Sequence, residues 1–219
     1  MSSFLRPDSA FYRAWSAAAD LVVINLLTLL WCLPVVTAGS ALTACARVVM
    51  EMAREEDTYT VRTWWRSFST NFRQSLAWWL PTLAAGVLAA WMNLALSQLD
   101  GASALTGLVN AGVLLGVGVL VWLVPLVAFF DNTVRVHLAN AVRLTIGRLG
   151  RTALCAALVV VPAAVVLALP GTRGAAGWFT LLLGVAFTGY LMALIQRPVI
   201  DVLREGARTG ENGPCGEVS

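Results

Sequence analysis

The side chains of this chain best suited to metal or nucleophilic chemistry are one histidine, His137, and four cysteines, Cys32, Cys45, Cys155 and Cys215. A single histidine cannot build a multi-histidine metal centre. No two cysteines have CxxC spacing, and three lie in apolar or near-apolar segments, where a thiol acts as a small apolar filler. The sequence holds no GxxxxGK[ST] phosphate loop, no GxSxG and no HExxH. A Ser–His–Asp triad cannot be assembled from one interface-proximal histidine. Enzyme chemistry, a cofactor and a metal are therefore not expected. The polar residues within apolar stretches are Asp20, Asn25, Thr28, Thr82, Asn93, Asn110 and Thr188. A proton-coupled carrier often places acids deep in its spans. Asp20 is the one acid among them, it sits close to a segment end, and packing is its expected role.

The rest of the composition explains why chemistry is scarce. The chain is 58% hydrophobic and 12% charged, against about 25% charged for a soluble domain. Too little polar surface remains for a water-soluble fold, and the charges cluster so that long spans carry none. This pattern predicts an all-α, polytopic bundle of transmembrane helices in one domain over residues 1–205, with a disordered polar tail over 206–219. All 15 basic residues are arginine. Arginine suits the membrane interface, because its stem lies in the apolar layer while the guanidinium reaches phosphates. The net charge of +3 is not clustered on a soluble domain, so no nucleic-acid partner is implied.

Five clear spans are expected: Ala17 to Leu33, Ser75 to Leu96, one within Ser103 to Phe130, Thr152 to Leu169, and Ala176 to Ile195. The first ends in Leu33-Pro34-Val35-Val36-Thr37-Ala38-Gly39. Pro34 cannot continue a regular helix without losing a hydrogen bond, and Gly39 permits backbone angles that other residues avoid. Val36-Thr37-Ala38 fits a signal-peptide cleavage site. Asp20, Asn25 and Pro34 oppose that reading, and cleavage would leave the arginine-rich 47–73 segment outside. The next segment, Ser40 to Ala53, reads as a returning or re-entrant helix with an Arg47–Glu51 pair at i,i+4. It is too short and polar for an ordinary lipid-exposed span.

Arginine counting chooses the topology. The positive-inside rule favours basic segments in the cytoplasm. If residues 34–53 form a turn and a returning helix, the N-terminus, 54–74, 131–151 and the C-terminus are all cytoplasmic, and every arginine but Arg173 lies inside. Irregular backbone at membrane depth is tolerated only under protein cover, so Pro34, Thr37 and Gly39 form a hinge expected to pack against other helices.

Residues 60–74 read as an amphipathic interfacial helix. At 100° per residue, Trp64, Trp65, Phe68 and Phe72 fall within an arc of about 100°, with Arg62, Arg66, Ser69 and Arg73 opposite. Such a helix anchors the next span in the interface or offers a docking surface for a partner. Val134, Leu138, Val142 and Ile146 recur every four residues in a second arginine-bearing segment. Gly112 and Gly116 form a GxxxG face that lets helices approach closely; packing is the expected role and a pore lining the alternative.

The run Asn25-Leu26-Leu27, Trp31-Cys32-Leu33-Pro34-Val35-Val36-Thr37-Ala38-Gly39-Ser40-Ala41-Leu42-Thr43-Ala44 resembles the first third of the YesL-like bacterial membrane proteins. Ser67-Phe68-Ser69-Thr70-Asn71-Phe72-Arg73-Gln74-Ser75 resembles their next recognisable block. Beyond about residue 80 the likeness is one of hydropathy and length. The resemblance implies a small multi-pass protein of the bacterial cytoplasmic membrane, of unassigned function and associated with carbohydrate uptake. It supplies no catalytic or ligand residues. Two readings follow. One is a non-enzymatic accessory component whose partners are the lipid bilayer and sugar-transporter subunits. The other is a small-solute transporter in its own right, as a homo-oligomer. An ATP-driven permease would carry a Glu-Ala-Ala…Gly coupling segment, which Ala139-Asn140-Ala141…Gly147 echoes without the Glu.

Overall fold

The computed structural model describes residues 10–56 and 59–211, with side chains from 15 to 206. Arg6, Cys215 and most of the expected tail lie outside the described residues. The helices run in order α1 (Ala10–Cys32), α2 (Ala38–Ala53), α3 (Thr60–Thr70), α4 (Phe72–Leu96), α5 (Ser103–Phe129), α6 (Val134–Gly147), α7 (Leu149–Ala168), α8 (Arg173–Phe179) and α9 (Val185–Glu211). A 3-10 turn (Pro170–Thr172) precedes α8, and a π-helical turn (Thr180–Gly184) joins α8 to α9. No strand occurs among the described residues. Five segments are long and apolar enough to cross a membrane: Trp15–Cys32, Phe72–Leu96, Ser103–Phe129, Leu149–Ala168 and Pro170–Gly206. These are the five expected spans. The last runs further than expected, because α9 continues through Pro198 instead of stopping at it.

α2 is the hub. It packs on α1, α3, α4, α5 and α9. The sequence dictates this position twice over. Ala38, Gly39, Ser40, Ala41, Thr43 and Ala44 form a run of small residues, all buried, that lets neighbouring helices come close. Arg47 and Glu51 would be costly in lipid, so a helix carrying them at membrane depth must be shielded by protein. One buried cluster accordingly centres on α2, with Val48, Val49 and Met50 against Ile24, Trp64 and Ile200. A second unites Trp78, Trp122, Leu126, Cys155 and Val199 where α4, α5, α7 and α9 meet.

The outer surfaces invert the rule for a soluble protein. Val87, Leu88 and Trp91 of α4 and Leu114 and Leu115 of α5 are exposed, as lipid-facing residues should be. Gly112 and Gly116, expected at a helix contact, have open space beside them: among the described residues an added Cβ at either would meet no atom of another helix within 4 Å. The close approach on α5 occurs instead at Gly118. A methyl there would lie 3.2 Å from Thr152 and 3.3 Å from Thr145. Pro125 cannot donate to the Val121 carbonyl four residues back. Gln196 of α9, itself buried, donates to that carbonyl at 2.7 Å.

Candidate functional site

The hinge is built from both sides. The Thr37 hydroxyl donates to the Trp31 carbonyl, one of the carbonyls left without a helical partner as α1 ends. Val35 turns the chain with φ 56, a left-handed backbone that a β-branched residue rarely adopts. Its carbonyl accepts the Trp79 indole N–H at 2.7 Å. The Trp79 ring then lies across Gly39, where an added Cβ would fall 2.5 Å from the Trp79 Cβ. Cover is partial: Ala38, Gly39 and Ser40 are buried, whereas Leu33 to Val36 stand open. More than two turns back along α1 from the hinge, Asn25 is fully buried. Its amide donates to the carbonyls of Thr180 (3.0 Å) and Leu181 (2.8 Å) and accepts from the N–H groups of Val185 (2.9 Å) and Ala186 (3.0 Å). A wide π turn disturbs the regular i→i−4 pairing. One side-chain amide from α1 supplies both a donor and an acceptor to the displaced groups.

The expected docking residues divide. Trp64 is fully buried and donates its indole N–H to Thr28 at 3.2 Å. Phe68 is buried against it, with ring centroids 5.1 Å apart, and Phe72 continues the stack 5.6 Å further on. Trp64 and Phe68 hold α3 to the bundle and are unavailable to a partner, and Phe72, at the start of α4, is half-buried. Trp65 is 50% exposed, and Arg62, Arg66 and Arg73 are exposed beside it. The arc therefore splits between adjacent tryptophans. The helix also breaks earlier than expected: Asn71 separates α3 from α4, so Phe72 opens the transmembrane helix. Trp64→Ala is expected to destabilise the protein by about 3–5 kcal/mol, the usual cost of emptying a core tryptophan site. Trp65→Ala should cost less than about 1.5 kcal/mol, since half its surface is already free. Thermal unfolding in one detergent checks the difference.

The same end of the bundle gathers charge. Asp20 accepts a hydrogen bond from the Thr60 hydroxyl at 3.0 Å, so the early acid fastens the start of α3 to α1. Arg47 pairs with Glu51 at 2.6 Å and donates to the Ala128 carbonyl at 2.9 Å, capping α5. Arg54 is buried and pairs with Asp201 at 2.6 Å. Arg197 lies 3.7 Å from the other Asp201 oxygen and donates to the Ala53 carbonyl at 2.7 Å, capping α2. Arg204 pairs with Glu56 at 3.5 Å. The guanidinium carbons of Arg47, Arg54 and Arg204 stand 4.4, 5.0 and 5.3 Å from the centre of the Phe129 ring, within cation–π range. Three helices, α2, α5 and α9, are thus tied at one end by alternating charges around one ring. Sequence spacing identified the Arg47–Glu51 pair; the partners on α9 lie too far along the chain to be read from spacing.

His137, expected at the interface, is 1% exposed. Burial pushes its imidazole below the usual histidine range, opposed by the nearby Phe130 backbone and Asp131. The period-four apolar residues Leu138, Val142 and Ile146 face outward, and the more polar row His137, Ala141 and Thr145 faces in. In a bilayer an apolar stripe seeks lipid, so the inward face is the other one. Among the described residues no group of three or more potential metal ligands occurs.

Fold and site together define a polytopic helical membrane protein with a polar, arginine-rich end. A family described as "Protein of unknown function, DUF624" matches residues 21–93, from the middle of α1 through the hinge, α2 and α3 to near the end of α4. That match supports a family of uncharacterised proteins and coincides with the hub and its cover. No curated protein matches the chain, and no solved structure matches it.

Proposed function

We propose that this protein is a non-enzymatic accessory component of a bacterial solute-uptake system. In this reading it sits in the cytoplasmic membrane with its arginine-rich end and both termini in the cytoplasm. The positive-inside rule supports that orientation, since α2–α3, α5–α6 and the end of α9 bring their arginines together. The observation that carries the docking role is the two-faced α3. Trp64 and Phe68 fix the helix to the bundle, while Arg62 and Arg66 are exposed on the other side, Trp65 is half exposed beside Trp31 of α1, and Arg73 stands at the start of α4. A rigid platform bearing one exposed tryptophan and three cations suits a partner with an acidic rim and an apolar centre, since tryptophan and arginine dominate binding hot spots. The likeness to YesL-like proteins supports a carbohydrate transporter as that partner.

Purification of the tagged protein from its native membrane in mild detergent, followed by mass spectrometry, tests this. Transporter subunits are expected in near-equal amount with the wild-type chain. Their recovery should fall at least tenfold, about 1.4 kcal/mol or more of lost binding, with Arg62→Glu, Arg66→Glu and Arg73→Glu combined. Unchanged recovery from that variant would sink the docking role of α3. A chain that arrives alone would transfer the weight to transport by the protein itself. The π turn held by Asn25 and the prolines inside α4, α5 and α7 favour this second reading, because irregular spans accommodate movement. Solute uptake by liposomes containing only this protein decides it.

A further inference from the structure

A recess of about 290 Å³ opens where the end of α5, the middle of α6 and the C-terminal part of α9 meet. Asn132, His137, Asn140 and Arg143 line it on one side, and Phe130 and Leu203 contribute apolar walls. His137 is 1% exposed, yet neither ring nitrogen makes a hydrogen bond of good geometry among the described residues, the backbone of Phe130 and Asn132 being its nearest polar neighbours. Buried polar groups are nearly always paired, so an imidazole without a well-formed partner that lines a recess points to a ligand group. The recess also sits at a definite depth. α5 is ending, and the apolar outer stripe of α6, with Leu138, Val142 and Ile146 exposed, lies against lipid. In the orientation proposed above, on which this inference rests for its depth, that is the level of the headgroups.

We propose that the recess binds a phosphate ester. A neutral imidazole offers one N–H, Arg143 a planar fork, and the two asparagines further N–H groups, all able to donate to phosphate oxygens. The remaining ring nitrogen of His137 accepts, which suits a hydroxyl on the alcohol part of the ester. Phe130 and Leu203 take the apolar portion. Arg143 is the one arginine lining the recess among the described residues; Asp131, exposed and close enough to act on His137, disfavours a second negative group there. The ester has two sources of the same chemistry: the headgroup of an anionic phospholipid, or a soluble sugar or glycerol phosphate.

His137 is the sole histidine, so its ring gives a single set of resonances in the full chain. The chain, purified through a histidine-free tag and labelled with 15N at histidine, is placed in phosphatidylcholine nanodiscs. Dioleoyl phosphatidylglycerol is added to the discs in one arm, and glycerol 3-phosphate to the buffer in the other. A saturable shift of the ring nitrogens with the lipid identifies a headgroup site; a shift with the soluble ester identifies a metabolite site. Either response should weaken about tenfold in Arg143→Gln, the loss expected for one charge-assisted contact. Asn140→Ala, at a half-buried position, gives a second variant with a smaller loss. No shift with either probe, or undiminished shifts in both variants, would overturn the proposal.

Discussion

Asn25→Leu is expected to destabilise the protein by about 2–4 kcal/mol, more than any other single polar substitution in the spans. Leucine fills nearly the same space and suits lipid-depth packing, so hydropathy alone would predict a gain. The loss comes from what is left behind. Asn25 receives the N–H groups of Val185 and Ala186 and covers the carbonyls of Thr180 and Leu181. An orphaned buried donor or acceptor costs about 1–3 kcal/mol. Hydrogen bonds between membrane helices are often worth only about 0.6 kcal/mol, because the unfolded chain in lipid finds other partners. Four bonds converging on one turn place the sum well above that average. Asn25→Asp separates the two halves: at this buried position the acid stays protonated, still accepts from Val185 and Ala186 but has one O–H for the two carbonyls, and should fall between. Equilibrium unfolding in mixed micelles measures all three. A leucine variant within about 0.5 kcal/mol of wild type would show that the π turn is self-sufficient.

Gly39 carries the second large effect. A methyl at this position has nowhere to go, with the Trp79 Cβ at 2.5 Å and Cγ at 2.7 Å. Gly39→Ala should cost about 1–3 kcal/mol through overpacking. Gly39→Val should cost more, because it also pushes Trp79 away from the Val35 carbonyl and uncovers the hinge. The double variant Gly39→Ala with Trp79→Gly, which removes the Trp79 Cβ as well as the ring, discriminates a clash from a backbone effect. Removing the ring together with its Cβ empties the space that the methyl needs, so the two losses should fall short of additivity by about 1 kcal/mol. Strict additivity would mean that Trp79 is not what Gly39 makes room for. The small residues around it share this role: Thr43 accepts a hydrogen bond from Ser75 at 3.2 Å, across the same α2–α4 contact.

Much of this was legible in the sequence, for physical reasons that also mark where reading stops. Long uncharged runs bounded by arginines define spans almost by length alone, and Pro34 through Gly39 announces a reversal. That α2 should be shielded follows from Arg47 and Glu51; that it is the hub does not, because its partners come from the whole chain. Trp64 and Trp65 are neighbours in one apolar arc, and a helical wheel cannot say which ring faces the bundle and which the interface. His137 escaped because the row of Val134, Leu138, Val142 and Ile146 was the conspicuous pattern. In a membrane that row belongs to the lipid, and the quieter His137, Ala141, Thr145 row at the same spacing marks the packed face. The pairing of Gln196 with the carbonyl freed by Pro125 has a local signal at only one end. A proline inside a span declares an orphan carbonyl, but not which side chain will find it. The GxxxG pattern of Gly112 and Gly116 has the opposite fault, since small spacing permits close approach without requiring it within the same chain.

The α1–α2 hairpin turns away from the arginine-rich end, and the proposed orientation puts that end in the cytoplasm. Cysteine accessibility in intact cells tests it most directly. With the four native cysteines replaced by alanine, Val36→Cys places a thiol on the open turn, and Arg66→Cys places one on the free face of α3. A membrane-impermeant maleimide should label Val36→Cys in intact cells and Arg66→Cys only after the membrane is permeabilised. The reverse pattern, or labelling of both from outside, would contradict the hairpin orientation and with it the cytoplasmic platform.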